Sequence, residues 1–105
     1  MRNINLRYVT ETYDKNGLLE HLDINCPDDF NFGYDIVDDI AEHEPDKVAL
    51  VWDSQSGEEH PFTFGDIKRM SDKTCNYFKA KGIKKGDFVI LVLKHSYQFW
   101  YISVA

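Results

Sequence analysis

The chain has little of what catalytic, metal-binding or targeting signatures require. Its two cysteines, Cys26 and Cys75, lie far apart in 105 residues, outside any C-x-x-C or metal-type spacing, and one pair is a weak basis for a disulfide framework. The six glycines are scattered. They form no G-x-G-x-x-G and no G-x-x-x-x-G-K-S/T, so no run of backbone amides is set to cradle a phosphate. His21, His43, His60 and His95 are isolated from one another and from cysteine. The longest apolar run, residues 88–93, is far too short to span a bilayer. The opening residues are polar and charged, which argues against a signal peptide. These absences together lead us to expect a reduced, cytoplasmic protein.

Basic charge is also scarce. The formal net charge is −6, so neither a sequence-independent grip on nucleic acid nor an anionic membrane partner is expected. The charge is uneven. Residues 1–45 hold eleven acids against Arg2, Arg7 and Lys15, whereas residues 46–105 hold seven acids and nine bases. An acidic arm precedes a near-neutral body, and a solvated acidic face explains it more simply than a docking strip for a basic partner.

What is present is core material. Hydrophobic residues make up 43% and aromatics 14%, enough for one small folded unit and too much for a disordered chain. Residues 3–14 fit either a strand or a short helix. Lys15, Asn16 and Gly17 form a turn, a short helix is expected over 17–22, and residues 24–30 read as an irregular linker. Ile36, Val37, Ile40 and Ala41 make one apolar helical stripe, with Asp35, Asp38, Asp39 and Glu42 on the opposite face and Pro45 as the stop. Residues 48–52 and 59–64 predict a hairpin, with Pro61 confining its strand to an edge or a bulge. Thr63 and Asp66 approximate a capping box, and a helix follows with Ile67, Met70, Thr74, Tyr77 and Phe78 inward and Gly82 as its left-handed stop. The unalternating run 88–93 predicts a strand covered on both faces. The expected fold is therefore α/β: a hairpin plus a right-handed β-α-β unit, preceded by an acidic helical arm. The parsing is an arm and linker over 1–30 and a body over 31–105. The segment 97–105 opens like a helix, carries aromatics on nearly every face and shows no stop signal, so we expect a piece truncated from a larger α/β domain.

Candidate chemistry weighs lightly against structural roles. Asp35, Asp38, Asp39 and Glu42 share spacing that hard cations favour, but no second ligand source accompanies them. His95 follows the buried strand on the side where open α/β sheets bind ligands, which makes it the best placed of the four histidines. Ser96 suits an N-cap better than a nucleophile, since no base stands beside it. Trp52 and Trp100 suit the core. Lys84 and Lys85, with Lys79 and Lys81, suit a solvated helix end better than a contact to a coenzyme phosphate. No catalytic, cofactor-binding or metal-binding residue is assigned.

Several strings in order resemble one family. These are Phe30-Asn31-Phe32-Gly33-Tyr34-Asp35-Ile36-Val37-Asp38, then Pro45-Asp46-Lys47-Val48-Ala49-Leu50-Val51-Trp52, then Phe62-Thr63-Phe64-Gly65-Asp66-Ile67. Gly82-Ile83-Lys84-Lys85-Gly86-Asp87-Phe88-Val89 and Phe99-Trp100 follow. Their order and spacing are similar to the N-terminal region of the adenylate-forming (AMP-binding) superfamily, in the branch of acetyl- and medium-chain acyl-CoA synthetases. One departure is the lack of proline around residues 94–97. The resemblance implies a parent ligase that uses ATP, Mg and CoA to turn a carboxylate into an acyl-CoA by way of an acyl-adenylate. Its phosphate loop, acidic and arginine residues and catalytic lysine would lie downstream, so the piece itself is expected to be inactive and to hold no cofactor. The expected partners are the remainder of the parent chain and further copies, associating through the C-terminal aromatics. The competing reading is a free-standing protein-interaction module without enzymatic activity.

Overall fold

A computed structural model describes residues 7–105. The expectations that fall on residues 1–6, the polar opening and the first part of the 3–14 element, lie outside the described residues. The fold is mixed α/β, built from two antiparallel hairpins and three short helical stretches besides one long helix. It divides into two compact units, the boundary falling between Phe30 and Asn31.

The first unit is a hairpin of β1 (Val9–Tyr13) and β2 (Leu19–Ile24). Val9 faces Ile24 and Glu11 faces Leu22. The turn is closed by Asp14, whose Oδ1 accepts the backbone N–H groups of Asn16 (2.8 Å) and Leu18 (2.9 Å). Those amides, Leu18 first, also hold the Asp14 carboxyl below the usual carboxylate range. Gly17 adopts φ +79° there, a conformation that side chains with a Cβ rarely take. The expected helical arm is thus a β-hairpin. Leu18, Leu19 and Leu22 have helical spacing, but the Asp14–Gly17 turn sends the chain back along Val9, Thr10 and Thr12, whose β-branched side chains suit a pleated strand.

The second unit begins with a π-helical turn, Gly33–Asp38, that continues as α1 (Asp39–His43). A hairpin of β3 (Val48–Asp53) and β4 (Glu59–Thr63) follows, and β4 runs directly into α2 (Phe64–Ala80). Pro61 lies opposite Val51 in a sheet of only two strands, so its missing N–H falls where a free edge is available. The predicted cap is present. Thr63 Oγ1 accepts from the Asp66 N–H at 3.1 Å, and Asp66 Oδ2 accepts from the Thr63 N–H at 3.0 Å. Gly82 ends the helix at φ +81°, with the Ile83 N–H reaching back to the Phe78 carbonyl at 3.1 Å.

The core is small. Val37, Ala41 and Ile67 are its buried apolar side chains, drawn from the π-turn, α1 and α2. The helix α3 (Gln98–Val104) packs against α2, turning Tyr101, Ile102 and Val104 partly inward and leaving Phe99 and Trp100 outward. Tyr77, expected inward, is exposed beneath Lys81 Nζ, which sits 5.6 Å from its ring centre.

The expected β-α-β unit is not formed. Residues 88–93 adopt no strand, and no backbone hydrogen bond joins residues 88–95 to any other backbone group among those described. A strand exists only as a partnership, and a run of strong β-formers without a neighbouring ladder cannot become one. Nor is the run covered on both faces, because Phe88 and Ile90 are almost wholly exposed.

Candidate functional site

A hollow of about 700 Å³ opens between the end of β3, residues 93–96 and the start of α3. Trp52, Leu93, Phe99 and Trp100 give it apolar walls, and Asp53, Lys94, His95 and Ser96 add polar groups. Period-two exposure along β3 turns Leu50 and Trp52 inward. The Trp52 indole then meets the Tyr97 ring edge-on, with centroids 5.5 Å apart, and donates its N–H to the His95 carbonyl at 3.3 Å. Phe62 on β4 also packs against Tyr97, the two rings tilted with centroids 4.8 Å apart.

The sequence set His95 on the side where open α/β sheets bind ligands and gave Ser96 an N-cap role; in the structure both residues line this hollow. They form no catalytic pair. Ser96 Oγ hydrogen-bonds the Gln98 side chain rather than His95. It does not cap α3 either, because the residue before that helix is Tyr97 and no side chain caps its amides. The tie that organises the hollow runs from the Trp52 indole to a backbone carbonyl. Sequence patterns carry no signal for such a bond, since it depends on where the chain passes rather than on residue type.

The four acids of the 35–42 stretch do not converge. Asp35 Oδ2 accepts the Asn31 N–H at 2.7 Å. Asp38, expected on a solvated face, is 8% exposed and paired at 2.5 Å with Lys68 on α2. That hydrogen bond raises the lysine pKa above its usual 10.5. The signal for this pair lay in Asp38's neighbours: Val37 precedes it and Ala41 follows one turn later, so it borders the apolar stripe. Asp39 faces His43, whose Nδ1 lies 2.7 Å from the Asp39 carbonyl oxygen. Among the described residues, no group of three or more His, Cys, Asp or Glu side chains is arranged to hold a metal ion. Cys26 and Cys75 are both free. No helix among the described residues is long and apolar enough to cross a membrane.

A second hollow of about 460 Å³ separates α2 from residues 89–91 and α3, with Met70, Tyr77, Phe78, Leu91, Tyr101 and Ile102 around it. Burial raises the Tyr101 hydroxyl above its usual pKa. Both hollows are open and largely apolar, although Asp53, Lys94, His95 and Ser96 border the first. They resemble gaps in a core more than clefts shaped for a substrate.

Known proteins supply the context for such gaps. Acyl-coenzyme A synthetase ACSM5, mitochondrial, of Mus musculus is 34% identical over 85 residues, which cover 75% of this chain and 15% of the relative. The human acyl-coenzyme A synthetase ACSM3, mitochondrial, is 31% identical over 88 residues, covering 78% and 15%. Crotonobetaine/carnitine–CoA ligase of Proteus mirabilis is 36% identical over 64 residues, covering 61% and 12%. The chain thus spans about 15% of the length of the synthetases it matches over the longest stretches. The sequence pattern of the AMP-binding enzyme family matches residues 37–105. That stretch runs from the buried Val37 through α3 and takes in the whole hairpin, α2 and both hollows. The chain belongs to the AMP-binding enzyme family.

Proposed function

We propose that this chain is an N-terminal piece of an ATP-dependent acyl-CoA synthetase and is catalytically inactive by itself. In this reading, residues 1–30 are an arm and residues 31–105 an incomplete N-terminal subdomain of the AMP-binding domain. The observation that carries it is the family match over residues 37–105 beside relatives named as CoA ligases, each much longer than this chain. The structure supports it from another side. Among the described residues no side chain is fully buried, and large apolar residues such as Phe88, Ile90 and Val92 face outward, as a layer shaped to be covered by more polypeptide would present them. The whole enzyme would join a carboxylate to CoA at the expense of ATP, with Mg as the metal and AMP and pyrophosphate as products. It would work in the cytoplasm, on fatty or other short- to medium-chain acids. The remainder of the parent chain would be this piece's natural partner.

The test has two arms. The 105-residue chain, given ATP, Mg²⁺, CoA and a series of carboxylates, releases no pyrophosphate. A longer product, expressed from the same reading frame where it continues, does release it. Pyrophosphate from the short chain would overturn the claim of inactivity. A longer product inert toward every carboxylate would remove the ligase reading and leave a protein-interaction module in its place.

A further inference from the structure

Asn16, at the tip of the first hairpin, is the one asparagine of this chain that glycine follows. The others precede Ile, Leu, Cys, Phe or Tyr. The backbone nitrogen of the next residue is the nucleophile that can close an imide ring on an asparagine side chain, and a side chain on that residue hinders the approach. Glycine has none. The surroundings are open as well: Asn16 and Gly17 are both exposed, and a Cβ built on Gly17 would meet nothing within 4 Å. Asp14 engages both reacting groups. Its carbonyl accepts the Gly17 N–H at 3.0 Å, and its Oδ2 accepts the Asn16 side-chain amide at 3.3 Å. Ring closure needs both bonds given up, because the Gly17 nitrogen must lose its proton and the Asn16 amide carbon must turn to meet it. Opening of the turn is therefore the gate. It is lightly held, since every residue of β2 is exposed and an uncovered two-stranded ribbon opens easily.

We propose that Asn16 is a site of spontaneous deamidation, gated by the Asp14 turn, and that its products loosen the first hairpin for good. The Gly17 nitrogen, its proton passed to water, bonds to Asn16 Cγ. The Cγ–Nδ2 bond breaks and ammonia leaves. Water then opens the imide at one of two places. Cleavage of the new C–N bond gives aspartate, and cleavage of the original peptide C–N bond gives isoaspartate, whose chain runs on through the side-chain carbon. Overall one water enters, one ammonia departs and no redox partner is needed. Both products exchange an amide donor for a carboxylate. The bond to Asp14 Oδ2 is lost and a like charge stands beside that acid. Isoaspartate also lengthens the main chain by one carbon within the turn. That moves Leu18, whose N–H and carbonyl both bond Asp14, out of step with its partner. The change runs one way, because the turn that closes on Asn16 closes less well on what replaces it.

Peptide mass spectrometry of the full 105-residue chain, aged in warm and mildly alkaline buffer, tests this. The expected result is a gain of about 1 Da confined to the peptide that holds Asn16. It is split between aspartate and isoaspartate, the second marked by methyl transfer from S-adenosylmethionine with a protein isoaspartate methyltransferase. Asn16→Gln removes the gain. Asp14→Ala, or guanidinium chloride, speeds it several-fold. In the isoaspartate form, amide hydrogen exchange rises across β1 and β2 and stays unchanged across α2. An Asn16 that remains intact in the folded chain while the denatured chain converts overturns the proposal. So does an equal pace of conversion at Asn25, Asn31 or Asn76. Equal rates in the folded, Asp14→Ala and denatured chains overturn the gate, and unaltered exchange across β1 and β2 overturns the loosening. Residue 16 lies outside the 37–105 stretch that matches the family, and the ligase proposal is read from pyrophosphate, so each can fail without the other.

Discussion

The two hairpins share an architecture and differ in what stands behind them. In β1–β2 every residue of β2 is exposed, and in β1 only Val9 is partly sheltered. In β3–β4, alternate residues of β3 and the end of β4 are sheltered, and the second strand passes straight into a capped seventeen-residue helix. The first hairpin is held by its own turn and ladder, and the second by a helix that begins where the strand stops. A two-stranded ribbon is marginal alone and gains its stability from the element that covers it. Mutations at equivalent depths in the two units should therefore differ sharply in cost.

The widest gap is expected at the small core. Ile67→Ala removes one of the three buried apolar side chains among the described residues and should destabilise the second unit by about 2–5 kcal/mol, measured by urea unfolding. Lys68→Met comes next. It leaves the Asp38 carboxylate buried without its cation, at a cost of about 1–3 kcal/mol in the same experiment. Asp38→Asn with Lys68→Met together should recover part of that loss, because the stranded charge is gone.

The cap is smaller and carries a pH signature. Thr63→Ala should cost about 1 kcal/mol. The Thr63 N–H, and after it Arg69, hold the Asp66 carboxyl below the ordinary 3.8. A lowered carboxyl pKa stabilises the fold above the unfolded value, and that contribution disappears as pH falls through the folded one. Asp66→Asn should therefore flatten the loss of stability below about pH 4, read from melting temperatures across an acid series. Leu22→Ala in β2 should be the smallest effect, within about 0.5 kcal/mol, because the side chain is already 43% exposed. A large loss there would mean that the first hairpin is more tightly held than its exposure indicates.

Legibility in the sequence followed the range of the forces involved. Thr63, Asp66 and Gly82 act within one helical turn, and their roles were readable from spacing alone. Val48 to Trp52 was readable as a strand because its hairpin partner lies a short loop away. The turn at residues 15–17 is legible in the sequence, but the short helix expected over 17–22 is instead the return strand, which that turn sends back along Val9–Tyr13. Residues 88–93 were given a strand that the fold does not complete, since composition reports a readiness to pair and says nothing of the neighbour. The Asp38–Lys68 pair and the Trp52–His95 bond join residues 30 and 43 positions apart; the stripe around Asp38 marks it as bordering the core but does not name Lys68 as its partner, and nothing local marks the indole bond. At the hollow, His95 and Ser96 are both lining residues, and the N-cap role expected of Ser96 is not realised.

The indole bond from Trp52 to the carbonyl of residue 95 has an optical consequence. Trp52 is partly sheltered between Tyr97 and His60, while Trp100 stands largely in water. In a Trp100→Phe background, the emission of the remaining indole becomes a gauge of how closely the loop before α3 is moored to the hairpin. Its drift to longer wavelength would announce the unmooring before any helix melts.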